Sequence, residues 1–169
     1  MMKTVFETER LRLRYFTLDD TDFIIKLLNT PGWLEFIGDR KVKDKETAEN
    51  YLRNGAFKSY EVNGFGLSMV EIKDGNIPIG MSGILRRDEL DSPDIGFAFL
   101  PEYMGKGYAR EISSALMKYA KEVLKMEKIL AITLPHNKSS IRLLEKIGLS
   151  YQKHFCFPGT NEELMLFST

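Results

Sequence analysis

The chain has 169 residues, of which 43% are hydrophobic and 28% are charged, a composition typical of one globular domain occupying residues 1–169. Its 24 basic residues balance 24 acidic ones, so the formal net charge is zero and the composition does not favour a nucleic-acid partner. The sequence has no signal-peptide pattern, no apolar run near ~18 residues and only one cysteine, Cys156, so we expect a cytoplasmic protein without a membrane span, a disulfide or a cysteine zinc site.

The first part of the chain predicts one strand and two helices. Residues Glu9–Phe16 alternate between leucine or tyrosine on one face and arginine on the other, which is typical of a half-buried antiparallel strand. Thr17 begins a variant capping box for a helix over Leu18–Leu28. Asp44 is the expected N-cap of a second, largely exposed helix over Lys45–Tyr60.

The rest of the chain predicts six strands separated by two helices. A helix after Gly107 separates two buried-type strands, which should therefore be parallel. Asn137 begins a short helix that Gly148 ends. The predicted strands are Phe65–Ile72, Ile77–Leu85, Asp94–Leu100, Lys128–Leu134, Ser150–Phe157 and Glu162–Phe167.

The stretch Asp94–Ala109, which reads DIGFAFLPEYMGKGYA, joins a strand, a glycine-bearing loop and a helix start. Pro101 ends the strand, because proline has no N–H for a ladder. The helix start presents free N–H groups and the positive end of the helix dipole, and glycine allows close approach of an anion. The spacing therefore predicts a site for an anion, usually a phosphate. It does not identify the ligand that carries this anion.

The element order and two local motifs resemble the GNAT superfamily of N-acetyltransferases. The first motif, Glu102-Tyr103-Met104-Gly105-Lys106-Gly107, is similar to the family's Q/R-x-x-G-x-G/A loop, and the second runs from Asn137 to Leu149. The segments ETERLRLR and PEYMGKGYA are most similar to the corresponding segments of the RimJ/RimL subgroup. The resemblance implies an α+β fold with a mixed, mostly antiparallel seven-stranded sheet, a parallel central strand pair and helices on both faces.

The resemblance also implies acetyl-CoA as cosubstrate, with its pyrophosphate on the glycine loop, and no metal. The residues expected to bind acetyl-CoA are Phe99, Leu100, Tyr103, Met104, Gly105, Lys106, Gly107, Tyr108, Ala109, Asn137 and Ser140.

Two positions depart from the family pattern. Glu102 stands where the loop usually has glutamine or arginine, and an anion beside a pyrophosphate is unfavourable unless it points to solvent. Leu144 occupies the position where many members carry a tyrosine that protonates the leaving thiolate. Another group must then donate, or the thiolate leaves unaided.

Amine acetylation needs a base for the ammonium proton and a donor for the oxyanion. By resemblance, a backbone N–H in Ala98–Leu100 is the donor. Asp94 is the candidate base, and its alternative is a solvated aspartate at the strand entry. Ser140 is the second catalytic candidate, as a donor to the thiolate, and its alternative is a cap for the helix after Asn137.

The acceptor pocket is expected in the N-terminal helical region. Trp33, Phe36 and Tyr51 either wall this pocket or form an ordinary hydrophobic cluster. The loop residue His136 is expected to be structural or solvated.

We read the chain as an acetyl-CoA-dependent N-acetyltransferase that transfers directly to a primary amine. The acceptor stays open among a protein N-terminus, a polyamine, an amino sugar and another small amine, and the protein is expected to be a monomer or a homodimer. One alternative is a CoA-binding module without transferase activity. Another is a nucleotide-binding domain, although the chain lacks the G-x-x-x-x-G-K-[ST] and G-x-G-x-x-G spacings.

Overall fold

The protein is described by a computed structural model covering residues 2–169. Eight strands form one sheet in the spatial order β1-β2-β3-β4-β5-β6-β8-β7. They are β1 (Thr4–Glu7), β2 (Leu11–Arg14), β3 (Ser68–Ile72), β4 (Ile77–Leu85), β5 (Asp94–Phe99), β6 (Leu130–Thr133), β7 (Ser150–Phe155) and β8 (Leu164–Ser168).

The sheet confirms the predicted mixed, mostly antiparallel α+β class. Strands β5 and β6 are parallel, and the other neighbouring pairs are antiparallel. The expected number of seven strands is wrong, because β1 adds an eighth strand that pairs with β2 through Thr4 and Arg14, Phe6 and Leu13, and Glu7 and Arg12. Four residues at a sheet edge carry too short an alternation to be recognised as a strand.

Within residues 2–169, six α-helices accompany the sheet: α1 (Thr21–Leu28), α2 (Pro31–Phe36), α3 (Lys45–Leu52), α4 (Lys58–Asn63), α5 (Tyr108–Glu122) and α6 (Lys138–Lys146). Short 3-10 turns at Leu18–Asp20 and Pro101–Tyr103 precede α1 and the glycine loop. The helix predicted over Lys45–Tyr60 is interrupted by a π-helical turn, Arg53–Phe57, that joins α3 to α4. Within residues 2–169, no helix is long and apolar enough to cross a bilayer.

Two hydrophobic clusters lie on opposite faces of the sheet, as alternation of side chains along each strand requires. On one face, α5 and α6 cover a cluster that includes Leu11, Leu13, Val70, Ile95, Phe99, Ile112, Leu116, Leu144 and Phe167. On the other face, helices α1 to α3 cover a cluster that includes Phe16, Ile24, Leu27, Trp33, Leu52, Met69, Met81 and Leu100.

The parallel strands β5 and β6 separate soon after they meet. They share one residue pair, Asp94 with Leu130, where the Leu130 N–H donates to Pro93 O over 2.8 Å. By contrast, β5 pairs with β4 along its whole length, and β6 pairs with β8 from Leu130 to Thr133. The two strands therefore diverge toward their carboxyl ends and leave a cleft in the sheet, called the β5–β6 cleft below.

Arg14 is buried, although alternation predicts it on the polar face of its strand. Its guanidinium donates to both oxygens of Asp20 (2.9 and 3.0 Å) and to Glu71 (3.0 Å). Asp20 also accepts the Thr17 N–H over 2.8 Å, in the predicted capping box. Arg12 donates to the other oxygen of Glu71 over 2.8 Å. These ion pairs join β2, β3 and the start of α1.

We expect Arg14→Met to lower the free energy of unfolding by about 3–5 kcal/mol, because it leaves two buried carboxylates without their shared cation. Urea denaturation measures the loss. Arg12→Met is the matched control, since its side chain is 25% exposed against 6% for Arg14 and it binds the same Glu71. Its loss should be about 1 kcal/mol, and equal losses in the two variants would contradict the role assigned to Arg14.

Candidate active site

The glycine loop after β5 has a backbone conformation that requires glycine at two positions. Gly105 has φ +74° and Gly107 has φ +83°, in the left-handed region that other residues rarely adopt. The first bond of α5 runs from the Glu111 N–H to Gly107 O over 3.0 Å. The N–H groups of residues 108–110 therefore remain free at the positive end of the helix. The loop has the geometry of an anion site.

The side chains around this loop differ in exposure. Met104 is 56% exposed, whereas Tyr103 and Tyr108 pack against the core. Lys106 Nζ lies 5.7 Å from the centroid of the Tyr103 ring. Ala109 is half-buried against the same core, in the first turn of α5. Lys106 is thus the side-chain cation that the loop itself supplies.

Arg10, which the sequence does not single out, lies against the glycine loop. Its guanidinium donates to Lys106 O over 3.1 Å and lies 4.4 Å from the centroid of the Tyr108 ring. Glu111 holds it there, accepting Arg10 Nε over 2.7 Å, the Arg10 N–H over 2.9 Å and the Thr8 hydroxyl over 2.7 Å. An arginine from the turn before β2 thereby braces the loop and brings a positive charge beside it.

Glu102 does not carry an unbalanced negative charge into the loop. Its carboxylate accepts a hydrogen bond from Lys26 Nζ over 3.3 Å, and both side chains are more than half exposed. Lys26 lies on α1, so the pair also spans from the helical layer to the loop. The departure at Glu102 is therefore compatible with an anion site.

The edge of β5 that faces the cleft offers a backbone donor at Phe99. The Leu100 N–H donates to Ile79 O over 2.9 Å, and Leu100 O accepts the Tyr103 N–H over 3.0 Å. Because the direction of backbone groups alternates along a strand, those of Phe97 and Phe99 point toward β6. Leu100 is also 1% exposed. Within Ala98–Leu100, Phe99 is thus the residue whose backbone N–H faces the cleft.

Asp94 is buried, not solvated, at the end of the cleft where β5 and β6 meet. Its side chain is 1% exposed, and both carboxylate oxygens accept from Arg87 Nε over 3.1 Å. Burial raises the pKa of Asp94 to about 6, and the Arg87 cation opposes this increase. Asp94 is therefore ionised at neutral pH and protonates just below it, which suits a general base.

Asn137, Ser140 and Leu144, which lie at the start of α6 or within it, have different hydrogen bonds and different burial. Asn137 is the N-cap, with Oδ1 accepting the Ser140 N–H over 3.2 Å. Within residues 2–169 the half-buried Ser140 hydroxyl has no hydrogen bond of its own, so it does not act as the cap. Leu144 is 1% exposed and packs in the cluster below α5 and α6. Ser140 therefore presents a hydroxyl that no described residue binds.

The three aromatic residues expected at an acceptor pocket lie in different surroundings. Trp33 is 6% exposed, and its indole N–H is buried without a partner among the described residues. Phe36 lies 5.3 Å from the His136 ring, between centroids, and His136 Nε2 lies 3.8 Å from Glu35 Oε1. Tyr51 lines a groove beside α3. The contact between α2 and the loop after β6 places Phe36 near the start of α6.

Comparison with known proteins identifies the family of this fold. Residues 10–150 match the model of the acetyltransferase (GNAT) domain. The Bacillus subtilis (strain 168) protein YkkB is 30% identical over 156 residues, covering 89% of this chain and 88% of YkkB.

Solved structures show the same fold over nearly the whole chain. A GNAT-family acetyltransferase from Bacillus anthracis is 26% identical with a TM-score of 0.80, covering 100% of this chain and 98% of the other. The complex of coenzyme A with RimL, a ribosomal L7/L12 alpha-N-protein acetyltransferase, has a TM-score of 0.83 at 12% identity, covering 99% and 97%. The latter identity shows a shared fold only.

Glu111→Ala should release Arg10 and loosen the glycine loop, because three hydrogen bonds to one carboxylate are lost. We expect amide hydrogen exchange at Met104, whose N–H donates to Pro101 O over 3.2 Å, to accelerate about tenfold, the equivalent of one such bond. Glu122→Ala, which removes an exposed carboxylate from the same helix, should leave exchange in the loop unchanged. Unchanged exchange in both variants would show that Arg10 does not brace the loop.

Proposed function

The chain belongs to the GNAT acetyltransferase family, and on that basis we propose that it transfers the acetyl group of acetyl-CoA directly to a primary amine. The observation that carries this proposal is the continuity between the β5–β6 cleft and the glycine loop. The unpaired backbone of Phe97 and Phe99 leads along β5 to the free N–H groups before α5. An elongated ligand whose amide-bearing arm leads to a pyrophosphate can pair with both at once.

The charges around the loop support a pyrophosphate there. Arg10 and Lys106 supply positive charge, and the helix start supplies free N–H groups. Two carboxylates lie nearby, and each has a cation: Lys26 pairs with Glu102, and Arg10 pairs with Glu111. Phosphate oxygens would accept hydrogen bonds from the backbone while the two cations reduce their mutual repulsion.

The acyl-transfer chemistry assigns one task to each remaining group. Acetyl-CoA supplies an activated carbonyl, which the deprotonated amine nitrogen attacks. We assign the Phe99 N–H to the oxyanion that forms on this carbonyl. As the carbon–sulfur bond breaks, the free Ser140 hydroxyl can donate to the thiolate, since the Leu144 side chain cannot.

We assign the ammonium proton to Asp94, which receives it through a chain of water molecules along the cleft. Asp94 lies five residues before Phe99, about 17 Å along an extended strand, so it occupies the closed end of the cleft. Its raised pKa, about 6, matches a base that works near neutral pH. The positive Arg87 keeps the buried carboxylate ionised at that pH.

The RimJ/RimL-like subgroup remains our assignment for this chain. Its two characteristic segments, ETERLRLR and PEYMGKGYA, contact each other through Arg10 and Lys106 O, so both contribute to one site. The acceptor is a protein N-terminus, a polyamine, an amino sugar or another small amine.

The test is a thiol-release assay with acetyl-CoA and a panel of N-terminal peptides, polyamines and amino sugars. We expect release of the CoA thiol with at least one amine, together with the acetylated amine by mass spectrometry. Tight acetyl-CoA binding without thiol release across the panel would instead support a CoA-binding module without transferase activity.

If Asp94 is the base, the pH dependence of turnover should follow its pKa. Because the pKa of Asp94 is about 6, turnover should fall as the pH drops below that value, where the carboxylate takes up a proton. Asp94→Asn should lower turnover ~10²-fold and remove this acidic limb. Arg87→Gln removes the cation that favours the charged form, so the limb should move to higher pH.

Asp91→Asn is the control for these two variants. Asp91 lies in the same segment but is 74% exposed and pairs with Lys128, so its profile should match that of the unchanged protein. A loss of only a few-fold in Asp94→Asn, with no movement of the limb in Arg87→Gln, would indicate deprotonation through water alone.

A further inference from the structure

A groove of about 520 Å³ lies beside α3, away from the glycine loop. It is lined by residues between Arg40 and Gly55, and none of them comes from β5, β6 or the loop before α5. This volume is in the range of small-molecule sites. We call it the α3 groove.

The exposed surface of the α3 groove is mainly apolar, but its lining carries two cations and no carboxylate. Arg40 and Lys41 contribute two positive charges, and Asn50 and Asn54 contribute two exposed amides. Lys41 is bound to Asp39 over 3.1 Å, whereas Arg40 makes no ion pair or side-chain hydrogen bond within residues 2–169. Arg40 is thus the cation left free to bind a ligand.

The other polar side chains of the groove are also without internal partners. No hydrogen bond joins the side chains of Asn50, Tyr51 or Asn54 to any described residue. Arg40 and Tyr51 both line the groove, and the positive charge of Arg40 opposes the rise that burial causes in the pKa of Tyr51. Four side chains able to hydrogen-bond therefore converge on one open volume.

The helix itself is irregular at this groove. Asn54 and Gly55 belong to the π-helical turn between α3 and α4. A π-helical turn has poorer hydrogen-bond geometry than an α-helix and occurs frequently at functional sites. A Cβ atom at Gly55 would meet nothing within 4 Å, so the turn faces open space.

We infer that the α3 groove is a second binding site, which takes a small molecule bearing a carboxylate or a phosphate next to a hydroxyl group. The Arg40 guanidinium pairs with the anion, since its planar donors match two oxygens of either group. The amides of Asn50 and Asn54 can accept from the hydroxyl and donate to the anion. The Tyr51 ring supplies an apolar wall.

The test is a titration followed by two-dimensional amide NMR, which reports where each ligand binds. The probes are glycerol 3-phosphate and L-malate, with neutral glycerol as the comparison. At millimolar concentrations we expect at least one anion to cause saturable shifts within residues 40–55, and glycerol to cause none. No saturable shift in this range with either anion would overturn the inference.

Two matched variants test the role of Arg40. Arg40→Gln should weaken anion binding about tenfold, as expected for one charge-assisted contact. Arg53→Gln removes the same charge from the adjacent turn but not from the groove lining, so it should change affinity less than about twofold. Both spectra must keep the dispersion of the folded protein.

The remaining outcomes also decide the matter. Equal loss in the two arginine variants would show non-specific attraction to positive charge and overturn the site. Shifts confined to residues 104–110 would assign the anions to the glycine loop and overturn it as well. The groove shares no residue with the glycine loop or the β5–β6 cleft, and only Tyr51 with the residues expected at the acceptor pocket. These results therefore stand apart from the thiol-release assay.

Discussion

Two parallel strands that share one residue pair leave a row of backbone donors and acceptors without partners between them. In a buried sheet such groups are costly unless water or a ligand satisfies them. Here β4 pairs with the outer edge of β5, and β8 pairs with the outer edge of β6. Both diverging strands are thus held from outside, and their free backbone groups face the β5–β6 cleft. The positions of the glycine loop, Asp94 and the start of α6 all follow from this divergence.

The arginines of one short N-terminal segment connect the two helical layers across the sheet. Arg10 binds Glu111 on α5, whereas Arg14 binds Asp20 at the start of α1. Arg12, between them, shares Glu71 with Arg14 and so ties β2 to β3. The five residues from Arg10 to Arg14 therefore position the glycine loop on one face and the first helix on the other.

Residue patterns predicted most of the sheet, because buried strands and turn glycines have strong local signals. The limits of β4 at Ile77 and Leu85 match the prediction, and β5 begins at the predicted Asp94. The glycine loop was also predictable, because Gly105 and Gly107 mark it in the sequence. Both residues adopt a positive φ in the structure. Strand β1 was not predictable, because four residues at an edge show little alternation.

The contacts between distant residues account for what the sequence did not predict. Alternation placed Arg14 among solvated arginines, but Asp20 and Glu71 allow it to be buried. Arg87 and Arg10 act on groups that are 7 and 101 residues away in sequence. No local pattern records such a pairing, and the free hydroxyl of Ser140 likewise depends on how Asn137 caps α6.

The position of β8 between β6 and β7 has a consequence for how the protein is made. Strand β8 follows both α6 and β7 along the chain, yet it is the partner that holds the outer edge of β6. During synthesis on the ribosome, the outer edge of β6 stays unpaired while the next 30 or so residues emerge. The nascent protein cannot complete its cleft until Leu164–Ser168 has left the exit tunnel, because this strand inserts between β6 and the earlier strand β7.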